Sequence, residues 1–212
     1  MVSHCSHICT RSPTKLTGRA NSLITRDNPN GVIDFALTNL DYAALATRLQ
    51  QTSTNISYDP PKAGGRTKPD GTELKWEVTF PAGVERGNVP FWCEDVTPRE
   101  RRVPITEAST THPSGVLGMA GMELEVRGNA VARLEEAMGA IVDADGGGEG
   151  GFEVGAPRAV EGLKRPSIRL KEAARGAERE LSLTLRLQTP DHRQQEAIRE
   201  RIGDGVVSIT FE

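Results

Sequence analysis

The sequence predicts an α+β protein of two βαβββ modules that form a curved mixed sheet with a cavity. Three observations predict it. Six apolar positions, Ile33, Phe35, Leu37, Tyr42, Leu45 and Leu49, return at one constant offset as Met122, Leu124, Val126, Val131, Leu134 and Met138, the mark of a duplicated unit. In each set the first three alternate, as on a half-buried strand, and the last three sit three and four apart, as on a helix. The 22 glycines and 13 prolines call for many turns and short elements.

Residues 1–30 predict a disordered leader. They are rich in Ser, Thr and Arg, lack an acidic residue before Asp27 and lack the apolar core of a secretory signal. The first module spans residues 31–96. Its first strand carries Ile33, Phe35 and Leu37. Asp41 then offers an N-cap to the helix of Tyr42, Leu45 and Leu49. Three strand candidates follow, "NISYDPPKAGGR", "GTELKWEVTFP" and "NVPFWCED", separated by Gly and Pro turns. Residues 97–118, rich in Pro, Thr and Ser, predict a linker. The second module spans 119–212. Asn129 is its candidate helix cap, and "GFEVGAP", "SIRLKEA" and "RELSLTLRL" are its strands, with Gly146 to Gly151 a flexible loop. Its tail predicts one more helix, begun by Thr189-Pro190-Asp191 and carrying Ile198 and Ile202, and then a last strand, "VVSITF".

Composition narrows the function classes. A net charge of −3 with mixed signs gives no broad basic field for nucleic acid. No run approaches the ~20 apolar residues of a membrane span. Cys5, Cys9 and Cys93 form no disulfide framework and no CxxC pair, which suits a reducing compartment and predicts a cytoplasmic location. Asn55-Ile56-Ser57 matches a glycosylation acceptor that such a location leaves unmodified. The expected partner is a small molecule, with neither nucleic acid nor membrane, and a homodimer is the assembly to test.

Several residues carry chemistry that fits a binding cavity. Arg66 in "KAGGRTKPDG" suits a bidentate clamp on a carboxylate or phosphate, with the Gly64 and Gly65 amides assisting. The competing reading is a hairpin whose turn is Pro69-Asp70-Gly71. Trp92 lines the cavity or fills the core, and alternation puts it on one face with Glu94. Arg99 and Arg102, in "PRERR", clamp an anion at the rim or solvate the exit of the strand. Cys93, with no histidine near it in sequence, reads as a small buried hydrophobe.

Four segments, "GVIDFALT", "GGRTKPDGTELKWEVTFP", "PFWCEDVTPRERRVP" and "THPSGVLG", together resemble the glyoxalase-like domain proteins over about Gly31 to Gly118. From Gly121 onward the likeness is to the generic βαβββ module of the vicinal oxygen chelate superfamily. That superfamily includes lactoylglutathione lyase, extradiol dioxygenases and fosfomycin-resistance proteins. The resemblance implies one divalent metal ion, chelated by two vicinal substrate oxygens, and a lyase, isomerase or dioxygenase acting on a small oxygenated metabolite. Family members usually begin with another βαβββ unit whose first strand carries a His. The resemblance implies that this unit is absent, residues 1–30 standing in its place. Phe35 and Leu124 occupy the equivalent first-strand positions here. Glu94 alone falls where a superfamily carboxylate ligand sits, as metal ligand and catalytic residue, and His112, before the second module, is the one nearby imidazole. A lone carboxylate cannot hold a divalent ion, so the alternative is a non-catalytic small-ligand-binding or truncated member without the metal site.

Overall fold

The computed structural model describes residues 4–10, 32–111, 113, 115–126, 128–144, 151–158, 160–173, 182–189, 196–202 and 205–211. The mixed α+β architecture is as the sequence predicts. Strand β1 (His4–Thr10) leads into the first module: β2 (Val32–Thr38), α1 (Tyr42–Gln50), the short β3 (Ser57–Tyr58), β4 (Lys62–Thr67), β5 (Glu73–Thr79), the short β6 (Pro81–Ala82) and β7 (Phe91–Asp95). These form a five-stranded sheet in the order β1-β2-β7-β5-β4, with β3 and β6 as a separate ribbon. Because α1 carries the chain across, β7 returns parallel to β2, pairing Ala36 with Phe91 and Leu37 with Trp92.

The sequence leaves residues 1–30 as a disordered leader, yet β1 pairs antiparallel with β2 from His4–Thr38 to Thr10–Val32. No apolar stripe marks that segment. Its β-compatible cysteines, isoleucine and threonine gain order from the unpaired edge of β2. The alternation in β2 predicts one buried face, whereas Asp34, Phe35, Ala36 and Leu37 are all buried. With β1 and β7 beside it, β2 is central, and both of its faces are covered.

The linker holds a single 3₁₀ turn (Arg99–Arg101) and the short helix α2 (Glu107–Thr110). Beyond it come β8 (Gly118–Val126), α3 (Gly128–Val142), β9 (Phe152–Glu153), β10 (Ser167–Glu172), β11 (Ser182–Gln188), β12 (Ile198–Ile202) and β13 (Gly205–Phe211). Asp41 caps α1, accepting from the Ala44 amide at 3.0 Å. Helix α3 begins at Gly128, so Asn129 lies inside it rather than capping it.

The second sheet runs β12-β13-β11-β8-β10-β9. Here β10, not β11, is the parallel partner of β8, and β11 lies antiparallel on its other side. Leu183, Leu185 and Leu187 alternate in the sequence of β11, a pattern that marks one side as apolar but not which edge the strand joins. Where the sequence predicts a tail helix carrying Ile198 and Ile202, the chain forms strand β12, antiparallel to β13, and the predicted start at Pro190 and Asp191 lies outside the described residues. Ile198 and Ile202 are four apart, a spacing that satisfies one helical turn and a period-two strand equally, and the edge of β13 settles the choice. The strand "VVSITF" sits inside this sheet, parallel to β11. The sheet is thus two short units, β8-α3-β9-β10 and β11-β12-β13, joined through their first strands, and β1 against β2 repeats that junction.

One apolar cluster joins both halves: Phe35, Leu37, Leu45 and Trp92 from the first meet Met122, Leu124, Leu134 and Met138 from the second. Two arginines tie the first half to α3. Arg48 Nε donates to the Ala140 carbonyl at 2.7 Å, and Arg133 Nε donates to the Thr54 carbonyl at 2.8 Å.

Candidate functional site

Ligand sites in sheets with parallel neighbours gather at the carboxyl ends of the strands, where the chain turns into a helix. In the first sheet that place lies beyond β2 and β7, at the entry to α1. An open depression of about 560 Å³ lies there, with Thr38, Asn39, Glu94, Asp95, Arg99 and Pro157 among its lining residues. Beside it is a smaller cavity of about 190 Å³ between α1 and the end of α3, lined by Asn39, Leu40, Ala44, Arg48, Trp92 and Asp143. Asn39 belongs to both.

Glu94 ends β7 and reaches the β2–α1 connection. Its Oε1 accepts from the Leu40 amide at 3.0 Å, and its Oε2 accepts from Thr38 Oγ1 at 3.1 Å. Between those two anchors Asn39 has φ of 72°, the left-handed region that asparagine tolerates better than most residues. Glu94 therefore lines the depression and at the same time clamps its wall.

Asp95 gathers two cations. Arg99 Nη1 donates to its carboxylate at 3.0 Å and Arg102 Nη2 at 2.7 Å. The three side chains are only 12%, 25% and 14% exposed for Asp95, Arg99 and Arg102. Arg102 Nη1 also lies 3.9 Å from Cys93 Sγ. Burial pushes the Cys93 thiol up, against the pull of the Arg102 charge, so it is not poised as a thiolate.

On the face of the first sheet that carries Ala36, Phe91 and Cys93, a second charged pair sits at the far end. Asp34 Oδ2 accepts from Arg86 Nε at 2.8 Å, Asp34 Oδ1 accepts from the Phe35 amide at 3.0 Å, and the Arg86 guanidinium lies 5.7 Å from the centre of the Phe80 ring. Phe80 in turn stacks on Phe91 at 5.1 Å. Burial pushes the Asp34 carboxyl above the ordinary aspartate value of 3.8, with Arg86 pulling it back. A raised value in the folded state means that the neutral form is favoured there. Its stabilising share is complete below pH 3.8 and is lost as pH rises through the folded value. Asp34→Asn cannot titrate. In urea unfolding, the stability of the wild type minus that of Asp34→Asn should grow as pH falls from about 7 toward 4. A difference that shrinks would mean that the ionised pair with Arg86 outweighs burial.

The structure brings Glu94, Arg99 and Arg102 together and leaves the other sequence candidates apart. Trp92 is 2% exposed and packed in the core, with one edge on the smaller cavity. Arg66 is exposed on the edge strand β4, opposite Leu74. With β5 between β4 and β7, it stands roughly 10 Å across the sheet from β7. The glycines before it have a packing reason: a Cβ on Gly64 would stand 2.5 Å from the Trp76 indole nitrogen, and one on Gly65 would stand 2.8 Å from the Leu74 carbonyl. His112 lies outside the described residues. Sequence reasoning misses Asn39, Asp95 and the Asp34–Arg86 pair. The signals were an aspartate inside an apolar strand and a second carboxylate next to Glu94.

The donors described do not fit a divalent ion. Among the described residues no three His, Cys, Asp or Glu side chains are grouped to hold one. Both Glu94 oxygens serve the loop, and two guanidiniums already neutralise Asp95. Among the described residues no helix is long and apolar enough to cross a membrane.

No curated protein matches the chain. A solved structure, a hypothetical protein from Staphylococcus aureus, is similar in fold at 11% identity, with a TM-score of 0.53 over 86% of this chain and 66% of that one. The chain thus spans just under two thirds of that protein's length. The sequence model of the glyoxalase-like domain matches residues 8–138, more than half of the chain and beginning within the segment read above as an unrelated leader. With the βαβββ module of β2 to β7 inside that match, the chain belongs to the glyoxalase-like domain family, within the vicinal oxygen chelate superfamily.

Proposed function

We propose that the protein is a small-ligand-binding member of its family that takes a small oxygenated acid in the depression beyond β2 and β7. The observation that carries this reading is the convergence of Arg99 and Arg102 on the single carboxylate of Asp95, with Arg99 on the depression. Within the depression Arg99 faces the carboxylates of Glu94 and Asp95, so an anion would be drawn by the directed donors of the Arg99 guanidinium rather than by an excess of positive charge. Thr38 Oγ1, which donates to Glu94, keeps lone pairs for a neighbouring hydroxyl, and Asn39 lines the same depression.

A charge-assisted hydrogen bond contributes about 1.5–3 kcal/mol. Arg99→Gln should therefore weaken binding of pyruvate, the probe, by at least about tenfold in isothermal titration calorimetry, with the melting temperature little changed. Equal affinities for wild type and variant would rule the depression out.

One second reading has support. Family membership and the position of Glu94 favour a metal-dependent lyase, isomerase or dioxygenase, with donors from outside the described residues completing the set. Chelator-treated protein separates the two: on the first reading it binds pyruvate unchanged, and on the second it binds only after Mn²⁺, Fe²⁺ or Zn²⁺ is restored.

A further inference from the structure

The smaller cavity carries charges of both signs, and they are ordered along α1. Asp41, Ala44 and Arg48 stand three and four residues apart, so one face of that helix forms a wall. At one end Arg48 Nε donates to the Ala140 carbonyl at 2.7 Å and lies 3.7 Å from Asp143 Oδ1, longer than a hydrogen bond. At the other end Asp41 gives Oδ1 to the Ala44 amide, and Oδ2 takes no part in that cap. Asp41 and Arg48 are about 10 Å apart along the helix. Leu40, Ala44 and the edge of Trp92 supply the apolar part of the lining. Asp143 is an unusual choice for its place. Helix α3 closes with the Ala144 amide donating to the Gly139 carbonyl at 3.0 Å, and Asp143 takes the left-handed position there, at φ of 61°. Glycine is the usual residue at that position, and an aspartate bears a backbone cost that glycine would not.

We propose that this cavity binds a dibasic α-amino acid of the lysine or ornithine class. The α-carboxylate meets the Arg48 guanidinium and the α-ammonium meets the Asp143 carboxylate. The ligand's own pair of charges then lies head to tail against the protein's pair. The methylenes cross Ala44 and the edge of Trp92, and the terminal ammonium meets Asp41. Two carboxylates and one guanidinium leave the lining a single net negative charge, which a dibasic amino acid offsets with its single net positive one. The positive end of α1 opposes an ammonium there, but it carries about half a charge against the full charge of Asp41. The volume of about 190 Å³ is the space of about six waters, enough for one amino acid and too little for a peptide. Arg99 has no part in this site, so the proposal is independent of the acid-binding reading above.

Calorimetry on the intact chain with L-lysine, L-norleucine and cadaverine tests the proposal. Norleucine lacks the terminal ammonium and cadaverine lacks the carboxylate, so each should bind about fivefold or more weakly than lysine. Asp143→Gly suits the left-handed position and should hold or raise the melting temperature while lowering lysine affinity about fivefold or more. Asp41→Asn keeps a good helix cap. It should leave norleucine affinity unchanged and bring lysine down toward it. Arg99→Gln, outside the cavity, should change none of these values. The proposal is overturned if lysine does not bind, if the three ligands bind alike, or if both aspartate variants bind lysine as the wild type does. Lysine binding that Arg99→Gln abolishes would put the ligand in the depression instead, and would overturn it equally.

Discussion

Trp92→Ala is expected to cost about 3–5 kcal/mol of folding stability, a loss large enough to unfold an average domain partly at body temperature. The residue is 2% exposed and lies in the cluster that joins Phe35 and Leu37 to Leu124 and Met138. Truncation removes the largest apolar side chain at this junction and leaves a void next to an existing cavity of about 190 Å³. A buried phenol is disturbed as well. Tyr58, whose hydroxyl donates to the Pro90 carbonyl at 2.6 Å, is held far above the ordinary phenol range by burial, with Trp92 beside it. Trp92→Phe keeps most of the packing and should cost less than half as much. Urea unfolding followed by the remaining tryptophan, Trp76, measures both. A loss below about 1 kcal/mol for the alanine variant would place Trp92 outside the core.

How much of this was legible beforehand depends on what each signal encodes. Period-two and helical spacing encode burial of a face, so β2, α1, β5, β8 and α3 could be read directly, and Asp41 could be named as a cap from its place alone. The same signals carry nothing about which edge a strand joins. The alternating leucines of β11 therefore mark a strand without saying that it pairs antiparallel with β8. Ile198 and Ile202 were ambiguous because four residues separate them, and the sheet edge decided in favour of a strand. At the site, Glu94, Arg99 and Arg102 could be found because carboxylates and guanidiniums crowd one short segment. What they do there could not be. Whether Glu94 faces a ligand or an amide depends on the path of residues 38–40, fixed by the parallel pairing of β2 and β7 and not by any local pattern. The Asp34–Arg86 pair spans 52 positions, a separation at which no sequence spacing is informative.

Asp95→Ala is expected to lower stability by about 3 kcal/mol and, against that loss, to sharpen the response to anions. In the native protein Asp95 accepts from two arginines at 3.0 and 2.7 Å, and it is itself only 12% exposed. Removing the shared carboxylate leaves two guanidiniums close together in a poorly hydrated place, and breaking a largely buried ion pair from one side costs about 3–5 kcal/mol. The low end applies because Arg99, at 25% exposure, can turn toward water. Replacing Arg102 as well, in Asp95→Ala/Arg102→Met, removes the charge that suffers most and should recover a substantial part of the loss, a coupling that a double-mutant cycle reads directly. Inorganic phosphate makes the functional side of the argument measurable. A ligand that binds only the folded state stabilises it by about 2.7 kcal/mol at a hundredfold excess over its dissociation constant. Phosphate should therefore raise the melting temperature of Asp95→Ala more than that of the wild type, and should do little for the double variant. If phosphate stabilises all three proteins equally, the arginines do not form an anion site. If Asp95→Ala is as stable as the wild type, the charges were already adequately solvated, and the arginines on which the acid-binding reading depends are too well hydrated to select an anion.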